Sequence, residues 1–142
     1  MGAPESLVVD ADCLIAGVLT SEGATSQLID SWQEGGFELV ACPRLVYEVR
    51  KALTSPRLAE RYDISIADAD AFARRLNEEG LMMDDPEDPP RAVPDDPGDD
   101  YLVALARASN SGFLVTRDRH FEKVDVDDLR IITPRDALSL IS

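Results

Sequence analysis

Basic residues are scarce in this chain. Fourteen Lys and Arg face 28 Asp and Glu, for a formal net charge of −14. An ordinary electrostatic nucleic-acid binder needs basic surface to neutralise phosphates, so the balance argues against that class. Lysine is scarcest: Lys51 and Lys123 stand alone, and the other basic residues are arginines, as in a protein from a GC-rich genome or one that favours Arg at phosphates. Two cysteines, Cys13 and Cys42, lie outside any CxxC or Cys/His grouping, which excludes a zinc ribbon or finger. Two packed, free thiols in a reducing cytoplasm are the expectation. No apolar run approaches the roughly 20 residues of a membrane-spanning helix. The opening MGAPES is short and carries an acid, so no signal peptide is expected. At 142 residues, 44% of them hydrophobic, the chain fits one globular domain over residues 1–142.

What is present is alternation. Leu7-Val8-Val9, closed by Asp10, reads as a buried strand. A helix is expected from Asp12 to about Leu19, and another from Thr25 to Trp32 that ends at Gly35-Gly36. Phe37–Ala41 reads as a strand. Pro43 opens a helix with Leu45, Val46, Val49 and Leu53 as its apolar stripe. Ser55-Pro56 starts a short helix to about Tyr62. Ser65 caps one running to Asn77, with Asp68 completing a capping box, and Gly80 stops it. Asp84–Asp100 carries eight acids and five of the nine prolines. It reads as loop, with Arg91-Ala92-Val93 as a candidate edge strand. Tyr101–Ala108 is helical, Phe113–Thr116 and Leu129–Ile132 are strands, and Pro134 begins a last helix. Strands alternating with helices imply a mostly parallel sheet covered on both faces. Sites in such sheets form beyond the carboxyl ends of the strands, where strand order reverses.

Several acids occupy positions of that kind. Asp10 follows the first strand and reads equally as a helix N-cap and as a ligand, and Asp12 shares the ambiguity. Glu48 lies beside an apolar stripe, where a solvated flank is the bland reading. Asp99 and Asp100 open a helix, where acids are ordinarily favoured. Asp118 follows a strand and suits a turn. Taken together, Asp10, Glu48, Asp99 and Asp118 converge if the strand ends do. Converging carboxylates repel one another toward neutrality unless a cation joins them, and no lysine lies nearby to pair them. Oxygen-only ligands suit magnesium or manganese. Helical phase separates the adjacent pair. Offsets of three, four and seven from Asp99 reach Leu102, Val103 and Ala106, all apolar. From Asp100 they reach Val103, Ala104 and Arg107. Asp99 is therefore expected on the packed, metal-facing side and Asp100 toward solvent.

The ordered blocks VVDADCLIAG, PRLVYEVRKAL, DDYLVALA, FLVTRDRHF and IITPRDAL resemble a PIN domain, and most of all the toxin–antitoxin PIN components related to the VapC toxins. The resemblance runs from about Leu7 to Leu140. It implies an α/β/α sandwich around a mostly parallel sheet of about five strands. It also implies that Asp10, Glu48, Asp99 and Asp118 are the catalytic acids. Asp10, Asp99 and Asp118 would be direct ligands of one or two Mg2+ ions, with Mn2+ as substitute, and Glu48 would bind metal or orient water. Thr116 takes the family's hydroxyl position, and it and Arg117 fall on the substrate side. The implied reaction is RNA hydrolysis leaving a 5′-phosphate and a 3′-hydroxyl. The implied partners are an RNA substrate, a protein antitoxin and a second copy of the chain. Asp12 stands where the family often has Asn, which adds charge to the site.

Other readings compete. A catalytically silent PIN-fold binding module fits the acidic surface, since a basic partner would dock well. A haloacid-dehalogenase-type phosphatase also begins with an apolar strand and D-x-D, here Asp10-Ala11-Asp12. Its Gly-Thr continuation is replaced by Cys13-Leu14, and its later lysine has only Lys123 as candidate. His120 is open to a proton-shuttle reading. Arg117 and Arg119 flank the last acid and read either as phosphate contacts or as solvated charges. Arg44, Arg50 and Arg57 mark a possible RNA path. Leu19, Leu28 and Trp32 read as core by default and as a dimer or antitoxin surface otherwise.

Overall fold

The computed structural model describes residues 6–141. The residues on which the signal-peptide reading chiefly rests, 1–5, lie outside the described ones.

Five short strands form one sheet: β1 (Ser6–Val9), β2 (Glu38–Ala41), β3 (Leu81–Met82), β4 (Phe113–Val115) and β5 (Arg130–Ile132). Their order is β3-β2-β1-β4-β5 and every pairing is parallel. The helices are α1 (Ala11–Leu19), α2 (Ala24–Gln33), α3 (Pro43–Leu53), α4 (Pro56–Tyr62), α5 (Ile66–Glu79), α6 (Asp100–Ala108) and α7 (Pro134–Ile141). The arrangement is a three-layer α/β/α sandwich, as the alternation implied. In it α6 packs across β1, β2 and β4, while α1 packs on α2 and α3, α3 on α5, and α2 on α7.

The local causes are those read from the sequence. Leu7, Val8 and Val9 are buried because β1 is the central strand, covered on both faces. Ser65 and Asp68 form a reciprocal capping box at the start of α5, and Gly80 terminates that helix. Gly17 lets α1 and α2 approach closely, since an added Cβ would meet the Ile29 side chain and, at 2.9 Å, the Thr25 carbonyl oxygen. Leu28 and Trp32, considered for a sticky surface, are buried in the core instead, with Trp32 edge-on to Phe72 at 6.4 Å. Leu19 is only partly buried.

One strand lies elsewhere than expected. Arg91–Val93 is not in the sheet; the edge strand is Leu81–Met82, bonded to Val40 and Ala41 of β2. The reason is competition for backbone donors. The amides of Ala92 and Val93 donate to Oδ1 of Asp100, at 3.1 and 2.8 Å, and so have no need of a ladder.

Chain order places the switch point beside β1. After β1 the chain builds outward through β2 and β3, then returns to lay β4 on the other side of β1. The crevice between the ends of β1 and β4 is where such sheets hold ligands.

Candidate active site

Register brings the first two site residues together. Val9 pairs with Val115, so the next residue of each strand, Asp10 and Thr116, emerges at the switch point. Asp10 is 4% exposed and Thr116 is 3% exposed. The Asp10 amide continues the ladder to the Val115 carbonyl at 3.0 Å, and the Thr116 amide continues it to the Ile132 carbonyl at 2.9 Å. The Thr116 hydroxyl donates to Oδ2 of Asp10. Oδ1 of Asp10 accepts the Cys13 amide at 2.8 Å, so this residue caps α1. The cap reading is therefore correct, and the second oxygen is the one that takes the Thr116 hydroxyl. Burial raises the Asp10 pKa, and the hydrogen bonds from Thr116 and Cys13 oppose that rise.

Asp118 is tied to the same centre through Thr116, whose hydroxyl oxygen accepts the Asp118 amide at 2.9 Å. Its carboxylate caps the short helical turn Arg119–Lys123 by accepting the His120 amide at 2.9 Å. The Nδ1 atom of His120 lies 3.2 Å from the same oxygen. Ligand atoms of Asp96, Asp118 and His120 lie within 4.8 Å of one another. Among the described residues no other trio of His, Cys, Asp or Glu reaches that separation. The expected Asp10, Glu48, Asp99 and Asp118 thus border one region but do not close into a single tight shell.

Asp99 opens α6 and leaves its side chain free of a capping bond. Burial, then the negative charge of Asp96, then Asp10 and Glu48, push its pKa up to about 7. Besides burial, the charges of Asp96, Asp10 and Glu48 thus disfavour the ionised form of Asp99. The residue sequence reasoning missed here is Asp96. It accepts the Gly98 amide at 3.2 Å in the turn leading to Asp99. The DDPGDD run was its only signal.

Asp100 corrects the helical-phase argument. It does not drift toward solvent but is 3% exposed. It holds Ala92 and Val93 as described, with Arg91 Nε 3.3 Å from its other oxygen. Periodicity along α6 carries no sign of the acidic loop, which folds back over the helix start.

Glu48 is half-buried rather than a solvated flank. Its Oε2 accepts the Tyr101 hydroxyl at 2.8 Å. Its Oε1 faces Arg44 Nε at 3.3 Å, so one of the four carboxylates does have a cationic partner. Arg44 also stacks over the Tyr101 ring, 4.2 Å from its centroid, and donates to the Gly98 carbonyl at 2.9 Å. Burial and the Glu48 carboxylate raise the Tyr101 pKa, keeping the hydroxyl a donor. The expected Arg44–Arg50–Arg57 path is interrupted, because Arg44 is turned onto Glu48 and Arg50 is bonded to Asp70 at 2.7 Å.

The remaining candidates separate cleanly. Asp12 and Arg117 are exposed. Cys13 and Cys42 are buried free thiols. Burial pushes the Cys42 pKa up to about 11 and raises that of Cys13, which excludes a thiolate nucleophile at neutral pH. Lys123, the lysine a phosphatase needs, bonds Asp95 at 3.1 Å.

The donor set fits a hard divalent cation. Asp10, Glu48, Asp96, Asp99 and Asp118 offer carboxylate oxygens, and the raised pKa of Asp99 reflects burial first and then repulsion from its acidic neighbours, which a cation would relieve. The sequence matches the family model described as PIN domain over residues 6–120. No curated protein matches the chain.

Proposed function

The chain belongs to the PIN domain family, and from that premise we propose that it is a Mg2+- or Mn2+-dependent endoribonuclease acting as the toxin of a toxin–antitoxin pair. PIN domains are generally nucleases that act on nucleic acid and use divalent metal. The observation that carries the finer reading is the setting of Asp99. It opens α6 beside the switch point, crowded by Asp96, Asp10 and Glu48, while the one cation in the group, Arg44, is spent on Glu48.

In this reading Asp10, Asp99 and Asp118 hold the ion. When bound, a divalent cation offsets the charge of the scissile phosphate and lowers the pKa of the attacking water. Thr116 fixes Asp10 in orientation, and its hydrogen bond opposes the rise in pKa that burial causes. Tyr101 and Arg44 hold Glu48, leaving a carboxylate edge that orients the water. Arg117 leads from Thr116 to Asp118 and contacts a substrate phosphate. Asp96 and His120 extend the site beyond the four acids that resemblance implied.

A separately encoded antitoxin, a homodimer and a cytoplasmic setting belong to the same proposal. No described helix is long and apolar enough to cross a membrane. The contact surface would draw on exposed groups such as Tyr47 and Ile66 rather than the buried Leu28 and Trp32.

Product ends test the chemistry. An end-labelled RNA incubated with protein and Mn2+ is expected to yield 5′-phosphate and 3′-hydroxyl ends. Cyclic phosphate ends would contradict direct attack by water. Metal binding without any cleavage would leave only the silent binding module.

A further inference from the structure

Two surfaces border the acidic site, and they differ in chemistry. One is the Asp84–Asp100 loop, with eight acids and a single arginine. The cations that touch it are engaged: Arg44 on Gly98 and Glu48, Arg91 on Asp100, Lys123 on Asp95. A polyanion approaching there meets uncompensated negative charge.

The other surface is an open groove of about 780 Å3 between α1, the α1–α2 turn, α4 and the start of α7. It reaches the site through Asp12, two residues after Asp10, and Arg117, one before Asp118. Its apolar lining includes Ile15, Leu19 and Leu58, and Tyr62 is 40% exposed with the Arg61 guanidinium 5.5 Å from its ring centroid. Arg117 lies at the site end and Arg135 on the first turn of α7. Among the described residues neither arginine takes part in an ion pair. Asp12 and Glu22 also line the groove, so its formal charge is balanced within a strongly acidic protein.

We propose that this groove seats an unpaired stretch of the RNA, with Arg117 and Arg135 on its phosphates and Tyr62 and the apolar lining against a base. This rests on the ribonuclease reading and adds to it a route of entry for the strand and the residues that line it. The volume falls within the roughly 300–1000 Å3 of ordinary ligand clefts, enough for a stacked nucleotide. An apolar lining with an aromatic ring recognises the face of a base, and base faces are offered by unpaired strands, not by duplexes. Two free guanidiniums suit phosphate oxygens.

The test is fluorescence anisotropy with a labelled single-stranded RNA and the same sequence as a duplex, using Asp10→Asn protein to prevent turnover. Arg135→Glu is expected to weaken single-strand binding about tenfold or more, and Tyr62→Ala several-fold, with the duplex bound far more weakly throughout. Mn2+ affinity of Arg135→Glu in the otherwise natural chain should stay unchanged, which separates the groove from the metal site. Parent-like binding by both groove variants, or equal affinity for duplex, overturns the proposal while leaving the ribonuclease reading intact. Groove-dependent binding without cleavage by the natural chain removes the ribonuclease reading and leaves the groove. Absence of any RNA binding overturns both.

Discussion

Asp10 and Thr116, 106 residues apart in sequence, are joined by a buried hydrogen bond in which the threonine hydroxyl donates to the carboxylate. The same hydroxyl oxygen accepts the Asp118 amide. One side chain therefore orients the first acid and positions the last. Thr116→Val keeps the shape and removes both bonds. It is expected to cost about 1–3 kcal/mol of stability, because a buried carboxylate oxygen loses its donor. Mn2+ affinity should fall with it, whereas Thr116→Ser should restore most of both. Calorimetric titration and thermal melts of the two variants check this. Unchanged Mn2+ affinity in Thr116→Val would remove the assigned role.

Asp99 and Asp100 are neighbours with opposite expected behaviour. The Asp99 carboxyl is pushed up to about 7 by burial and by Asp96, Asp10 and Glu48. Its unfolded value is about 4. A carboxyl that binds its proton more tightly when folded loses stability as pH rises, here across the window from about 4 to about 7. Without metal, the melting temperature should therefore carry a downward contribution over that window, and Mn2+ should offset it at pH 8. Asp99→Asn removes the contribution, raises the metal-free melting temperature at pH 8, and abolishes cleavage. Asp100→Asn instead loses a charge-assisted hold on Ala92 and Val93 and is expected to destabilise by about 1–3 kcal/mol at the same pH. Melts of both variants at pH 5 and pH 8 decide the matter. Shifts of the same sign at pH 8 would contradict the assignment.

The contrast between these neighbours also marks how far the sequence could be read. Asp10 was legible because an apolar run ends on it, and Asp118 because it follows the Phe113–Thr116 strand. Those signals are local. The parallel sheet followed from the alternation of elements, and the capping box at Ser65 from residues three apart. Asp100 could not be read because its partners, Ala92 and Val93, lie on a loop that folds back over it. Arg44 escaped for the same reason, since its contact with Gly98 spans 54 positions. The edge strand Leu81–Met82 is only two residues long, too short for any periodicity to show. Asp96 was hidden in a run of acids that composition explains as loop.

Tyr101 and Glu48 give a further prediction. The hydroxyl donates to Glu48 Oε2 at 2.8 Å, and Arg44 covers the ring. Tyr101→Phe preserves packing and the stacked guanidinium but frees one edge of Glu48. Stability should fall by only about 1 kcal/mol, because Glu48 still reaches water. Cleavage should fall chiefly in kcat with little change in KM, since Glu48 is proposed to orient the attacking water and not to bind the RNA. An equal loss confined to KM would place Glu48 in binding instead.

The proposed ribonuclease site depends on carboxylates at the β1–β4 switch point acting together with a divalent metal. Total RNA incubated with the purified chain, with Mn2+ or with chelator, beside an Asp10→Asn control, decides whether it does. Fragmentation is expected from the natural chain with Mn2+, and intact RNA both in chelator and with Asp10→Asn. Fragmentation that persists in chelator, or that Asp10→Asn matches, would contradict it.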